Sequence, residues 1–359
     1  MNMNDQYIIL AINPGSTSTK LALFLNTKST DSREIQHREQ ELSEFDSVWD
    51  QLDLRTEYVR AFLKDSLSDE GHIDAIAARG GLLRPVKGGV YEVNELMLHD
   101  AEIGFQGEHP ANLGCAIAAR IAEEMNCPAY IVDPVSTSEM RSIARISGHP
   151  QIERRSLSHA LSIHYVSRLA SRDFHLDYSS SQFVVAHLGG GISIAPVKGG
   201  RIIDVNDANN EGPFSPSRSG TLPPLTLVRY ILEQGLDYAE ARKELLKTSG
   251  WQGYLGTSDG KVVEEQISNG DEQAWSILKA MAYQIGKEIG AMSTVLSGEV
   301  DSVVITGGLA GYARLIELLE ERIAWIAPVH VYPGALEMDA LAEGVYRVMT
   351  GEESPEHYG

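Results

Sequence analysis

One pattern limits what this chain can become: an apolar strand, a glycine loop and a second apolar strand, written twice. The first copy runs Ile8-Ile9-Leu10-Ala11-Ile12-Asn13-Pro14, passes through Gly15-Ser16-Thr17-Ser18, and leaves as Thr19-Lys20-Leu21-Ala22-Leu23-Phe24. The second runs Phe183-Val184-Val185-Ala186-His187-Leu188 into Gly189-Gly190-Gly191. It leaves as Ile192-Ser193-Ile194-Ala195-Pro196-Val197, then a Lys198-Gly199-Gly200 turn and Arg201–Val205. Branched apolar runs on either side of a short small-residue loop read as antiparallel strand pairs. The offset between the copies is about half of the 359 residues, so a duplicated domain is the simplest cause.

The loops carry chemistry as well as geometry. Gly15 lets backbone approach a ligand closely, the hydroxyls of Ser16, Thr17 and Ser18 offer donors, and Lys20 adds a point charge suited to phosphate oxygens. This is not a Walker A loop, which needs a glycine directly before its lysine and a helix after it; here Thr19 precedes Lys20 and a strand follows. Taken alone, such a hairpin is more often only a turn. A third glycine site follows Ser302–Thr306, where Gly307-Gly308 is expected to open a helix running from Leu309 to Glu321, a platform for a nucleotide. Three loops in this order within a duplicated α/β chain point to nucleotide binding.

Between the repeats, Glu34–Leu42 alternates weakly and reads as a third strand. Phe45–Leu67 has helical spacing with a break near Asp53. Ile73–Ala78 reads as a buried strand that ends in Arg79-Gly80-Gly81, putting a cation at the mouth of a loop that continues through Arg84, Lys87, Gly88 and Gly89. Leu113–Met125 is Ala-rich and helical, and the strand Ala129–Val132 stops at Asp133-Pro134. A carboxylate at a parallel strand's end sits where open α/β sheets bind ligands, although an Asp there can equally be a turn cap.

Composition removes other classes. A formal charge of −20 and a pI near 4.9 oppose nonspecific binding to nucleic acid or anionic membranes. Cys115 and Cys127 are too few for a disulfide framework or a zinc site. No apolar run reaches a membrane span, and Met1-Asn2-Met3-Asn4-Asp5 lacks the basic-then-apolar order of a signal peptide, so a cytoplasmic protein is expected.

With these residues assembled, the chain resembles the acetate and sugar kinase, Hsp70 and actin superfamily. Within it, the chain is similar to the acetokinase family of short-chain carboxylate kinases, over about Tyr7 to Met349. The family's opening phosphate pattern matches Asn13, Gly15, Ser16, Ser18 and Lys20, with Thr17 between. Its second phosphate loop matches His187-Leu188-Gly189-Gly190-Gly191, its catalytic Arg-x-Gly matches Arg218-Ser219-Gly220, and its adenosine loop matches Gly307-Gly308-Leu309-Ala310-Gly311.

The resemblance implies two ribonuclease H-like (actin-like ATPase) domains, each a mixed five-stranded sheet flanked by helices, with a cleft between. Residues 1–133 plus 339–359 would form the first and 134–338 the second. It implies ATP/ADP and Mg2+ as cofactors, a small carboxylate as acceptor, and a homodimer or higher homo-oligomer. Arg79, Asp133, His159 (after Arg154-Arg155) and Arg218 would be catalytic. Asp133 with Glu337, or Asp339 in its place, would serve the metal. Family acetate kinases place their first arginine a few residues before a His-Gly-Gly, whereas Arg79 abuts Gly80-Gly81, so its role requires a shifted loop. They carry Phe where this chain has Ser158, and a bulky aliphatic where it has Gly107. Both changes would enlarge the acyl pocket and favour a four-carbon acid such as butanoate over acetate.

Overall fold

The computed structural model describes residues 6–67 and 71–359; the opening pentapeptide, where no signal sequence was expected, lies outside them. The chain divides into two compact units, one formed by the residues up to Ser138 with Leu336–Gly359, the other by Glu139–Ala335.

In the first unit β1 (Ile8–Pro14), β2 (Ser18–Leu25), β3 (Lys28–Gln36), β4 (Ala75–Arg79), β5 (Val90–Glu92) and β6 (Ala129–Val132) form one sheet in the order β3-β2-β1-β4-β6-β5. β1 is antiparallel to β2 and parallel to β4, which is parallel to β6. Helices Leu113–Met125 and Glu337–Met349 both pack on β1, β4 and β6. Leu10, Ile12, Ile76 and Ala78 join one core with Leu113 and Ile117, and the alternate residues Ile9, Ala11, Ala75 and Ala77, also fully buried, point to the other face. Cover on both faces is why these strands read as unbroken apolar runs.

The second unit contains a small hairpin, β7 (Ile146–His149) with β8 (Ile152–Glu153), and a five-stranded sheet. Its strands are β9 (Gln182–Leu188), β10 (Ile192–Lys198), β11 (Arg201–Ile202), β12 (Ser302–Gly307) and β13 (Val329–Pro333), in the order β11-β10-β9-β12-β13. Strand senses repeat those of the first sheet: β9 is antiparallel to β10 and parallel to β12, which is parallel to β13. Helices Glu272–Val295 and Ala160–Asp173 pack on this sheet. The two sheets thus share a five-strand plan, to which the first adds the three-residue edge strand β5.

Local expectations shift in four places. The third strand is Lys28–Gln36 rather than Glu34–Leu42. It is an edge strand exposed at every position but Ile35, so no inward face marks it, and the two-residue turn Asn26-Thr27, with Asn26 at φ 57°, sets its register. The helix expected from Phe45 begins as a 3-10 turn at Trp49–Gln51 and runs unbroken over Leu52–Ser66. Asp53 lies in its first turn, where a carboxylate suits the helix dipole, and pairs with Arg120. The strand expected over Ile73–Ala78 is β4, Ala75–Arg79. Finally, Gly307-Gly308 does not open the long helix. Gly307 has φ 94°, outside helical space, so a 3-10 turn covers Gly308–Gly311, Tyr312 is extended, and the α-helix starts at Ala313.

Candidate active site

Each sheet delivers its own candidate residues to the carboxyl ends of its parallel strands. In the first unit Ile12 pairs with Ala78 and Arg79 with Val132 along parallel strands, so Asn13, Arg79 and Asp133 lie at the carboxyl ends of β1, β4 and β6. In the second, His187 pairs with Thr306 and Thr306 with Tyr332, which aligns Gly189, Gly307 and Pro333 at the carboxyl ends of β9, β12 and β13. This is the edge at which open α/β sheets hold ligands.

The first loop is a tight turn closed by the Gly15 amide donating to the Ser18 carbonyl at 2.7 Å. Ser16 and Thr17 are exposed at its tip, Asn13 is buried below it, and Ser18 and Lys20 belong to β2, where Ser18 Oγ donates to Glu34 Oε1 at 2.9 Å. Arg79 ends β4 with its backbone wedged in place: a side chain on Gly114 would strike its carbonyl, and one on Gly80 would strike Ile131 and Pro134. The half-buried Arg79 guanidinium makes no hydrogen bond or ion pair with any described residue. Burial lowers its pKa, and the charge of Glu337 opposes that shift. Glu337 starts the last helix, and its Oε2 is buried without a hydrogen-bond partner among the described residues. Asp339 has its pKa raised by burial and by the charges of Glu343 and Glu337. Asp133 is buried at φ 39°, its Oδ1 accepting from the Gly89 amide at 2.8 Å. Arg84 belongs to the structure instead: its Nε lies 2.5 Å from the fully buried Asp100, which also accepts from Tyr358 near the chain's end. That arginine bond holds the Asp100 carboxyl below its usual range.

In the second unit His159 and His187 stack face to face, with ring centroids 4.0 Å apart and planes within 9°. Ser193 Oγ lies 2.9 Å from His159 Nδ1, and Arg154, bound to Asp204 and Glu211 at 3.0 Å each, anchors the segment leading to His159. Ser158 is buried, not exposed, and its hydroxyl finds no partner among the described residues. Arg218 lies against the second glycine loop: a Cβ on Gly191 would come within 2.5 Å of its Nη1. Its Nη1 donates to the Ala208 carbonyl at 3.0 Å. Burial lowers the Arg218 pKa, and Asp207 opposes that shift. Gly189, Gly190, Gly308 and Leu309 line one cavity of about 330 Å³ with Ser217 and Tyr312, so the Gly189–Gly191 loop and the Gly307-Gly308 turn meet within this unit. A side chain on Gly307 would strike the Leu188 carbonyl, whereas Gly308 faces open space.

Gly107, expected at the acyl pocket, sits at φ 126°, so its backbone angle alone asks for glycine. Sequence reasoning passed over Arg55. It occupies an inward position among Leu52, Thr56, Val59 and Phe62, and a lone arginine on a helix's apolar face was the available signal. Tyr312 was also missed; its ring fills the space left by Gly260.

Two sheets sharing one five-strand order, with glycine loops and cations at one edge of each, define the duplicated actin-like fold. Comparison with known proteins agrees. The acetokinase family model matches residues 148–327. The chain is 48% identical to a probable butyrate kinase of Coprothermobacter proteolyticus over 98% of this chain and 99% of that one. It is 44% identical to probable butyrate kinase 2 of Caldanaerobacter subterraneus subsp. tengcongensis over the same shares. The Porphyromonas gingivalis acetate kinase structure superposes with a TM-score of 0.78 at 21% identity, covering 97% of this chain and all of that one. The chain belongs to the acetokinase family, kinases that phosphorylate carboxylates.

Proposed function

We propose that this protein reversibly transfers the γ-phosphoryl group of ATP to the carboxylate of butanoate or a branched short-chain acid, giving butanoyl phosphate and ADP. The observation that carries the reading is the pair of half-buried guanidiniums, Arg79 and Arg218, neither of which makes an ion pair with a described residue. Buried charge held without a carboxylate is costly unless an anion arrives. A carboxylate acceptor is already ionised at neutral pH and needs no general base. The difficulty is bringing two anions together and stabilising charge on the equatorial phosphoryl oxygens, which planar guanidiniums engage bidentately. Arg79 and Arg218 serve that purpose, His159 and His187 donate to phosphoryl oxygens, and the cavity beside Gly308 takes the adenosine.

Among the described residues no three His, Cys, Asp or Glu side chains gather as a metal cage. That suits Mg2+, which keeps several waters and takes one or two carboxylates beside substrate phosphates. The unpartnered Glu337 Oε2 and the Asp133 carboxylate are the groups that would hold it. Bound there, Mg2+ would neutralise phosphate charge.

A homo-oligomer and a cytoplasmic location, where ATP is supplied, belong to the same reading. Helix Pro224–Gln234 has no buried residue and leaves Leu225, Val228 and Leu232 exposed, an apolar face suited to a second copy. No helix among the described residues is long and apolar enough to cross a membrane.

The test is hydroxylamine trapping of acyl phosphate across acids of increasing length and branching. Butanoate should give the highest kcat/KM, with propionate and valerate as poorer substrates. A preference for acetate would make acetate kinase the better reading.

A further inference from the structure

Arg55 is fully buried in the helix Leu52–Ser66, directly behind the first glycine loop. Its Nη1 donates to the Gly15 carbonyl at 2.9 Å and to Thr19 Oγ1 at 3.1 Å, while Nε and Nη2 both hold Gln51 Oε1, at 3.1 and 2.9 Å. All four acceptor contacts are to neutral groups. Among the described residues no carboxylate pairs with this guanidinium, and no charged neighbour shifts its titration; burial alone lowers its pKa, to about 10, which leaves it charged at neutral pH. The contrast with Arg84 and Arg154, each paired with carboxylates, shows that the chain supplies partners to arginines whose work is structural.

We propose that Arg55 is the positioning residue of the first loop: it holds the Gly15–Thr17 turn from behind and leaves its positive charge uncompensated until a phosphoryl anion occupies that turn. Buried charge without a counter-ion is tolerated where its field acts on something, and the low local dielectric lets that field reach across the turn. The Gly15 carbonyl, tied to Nη1, is thereby turned inward and away from an anion it would repel. The inference rests on the kinase reading for the identity of the anion.

The discriminating variant is Gln51→Glu. It adds the missing carboxylate opposite Nε and Nη2 and loses no hydrogen bond, because only Gln51 Oε1 is used by the described residues. Calorimetric titration of the full chain with inorganic pyrophosphate and with MgATP, at low and high salt, is read beside thermal unfolding. We expect Gln51→Glu to melt no lower than the parent yet to bind pyrophosphate about tenfold more weakly, with KM for ATP raised and the salt dependence of binding reduced. Arg55→Gln, which keeps a donor for Gly15 but no charge, should show the same loss, and Arg55→Lys should recover most of the affinity. A purely structural arginine would give the opposite pattern, with Gln51→Glu neutral or improved and Arg55→Gln unstable but unchanged in ligand affinity when folded. If Arg55→Gln does not fold, Gln51→Glu decides alone. Parent protein that binds neither ligand would remove the kinase reading and this inference together; parent binding with unchanged Gln51→Glu would remove the inference alone.

Discussion

The two glycine loops occupy the same place in two copies of one sheet, yet different groups stand behind them. Behind Gly15-Ser16-Thr17 lies the buried Arg55, reaching the loop through the Gly15 carbonyl and Thr19, with His37 Nε2 2.8 Å from the same hydroxyl. Next to Gly189-Gly190-Gly191 lie the stacked His159 and His187, and the Arg218 guanidinium lies against Gly191. Duplication kept the backbone and changed the cations. In the proposed function the first loop would hold an anion in place, and the second would act on charge that develops during transfer.

The most severe break falls on the second loop. Arg218→Ala should lower kcat by about 10³ to 10⁵, or about 4–7 kcal/mol of transition-state stabilisation, with thermal unfolding nearly unchanged. Among the described residues only one hydrogen bond is lost with the side chain, the one to the Ala208 carbonyl. Near-normal kcat in the folded variant would take Arg218 out of the mechanism.

Next come the glycines themselves, where the loops should respond unequally. A methyl on Gly191 would enter the space of the Arg218 guanidinium, the far end of a flexible side chain, so Gly191→Ala should fold but lower kcat by roughly 10- to 100-fold. On Gly15 the nearest atom is the Ser18 carbonyl oxygen at 3.2 Å, and Gly15→Ala should cost less in kcat than Gly191→Ala. Equal losses at both positions would mean that the loops do the same work. Within the third loop, Gly308→Val should raise the KM for ATP about tenfold while sparing that for butanoate, because its side chain would enter the cavity proposed to take the adenosine. Gly307→Val should destabilise by several kcal/mol, since it combines φ 94° with a clash at the Leu188 carbonyl. Urea unfolding and ATP kinetics on the pair separate the two roles.

Much of this was legible in the sequence because it rests on periodicity and punctuation. The twice-written strand–loop–strand pattern foretold two sheets of like order, and Leu113–Met125 and Ala129–Val132 fall where spacing placed them. The edge strand β3 was misplaced because an exposed strand has no buried alternation to read. Arg55 was passed over because its meaning is three-dimensional: its partner Gly15 lies 40 residues away, and sequence cannot show that no carboxylate meets the guanidinium. Gly191 likewise looks like any loop glycine until Arg218 is seen against it.

A smaller change is expected at the acyl end. Ser158 is buried beside the histidine stack, so Ser158→Phe should lower kcat/KM for butanoate and branched acids while sparing acetate, by about 1–3 kcal/mol per methylene excluded. Proportional loss for every acid would mean that the substitution disturbs His159 rather than the pocket.

The smallest effect is a pH dependence confined to the first loop. His37 is buried next to Thr19, and its pKa is lowered from the ordinary value near 6.5, first by burial and then by the charge of Arg55, with Glu41 opposing. Protonation is therefore easier in the unfolded chain than in the folded one, so the folded state gains from His37 above about pH 6.5 and loses that gain as pH falls through the lowered value. His37→Gln, which can still meet the Thr19 hydroxyl, should flatten this part of the stability profile between pH 7 and 5 without altering kcat at pH 7.5. The same replacement in an Arg55→Gln background should flatten it less, because one cause of the depressed pKa is already gone. Identical acid sensitivity in all of these proteins would show that the arginine's charge does not reach His37, and would weaken the case that it reaches an anion on the other side of the loop.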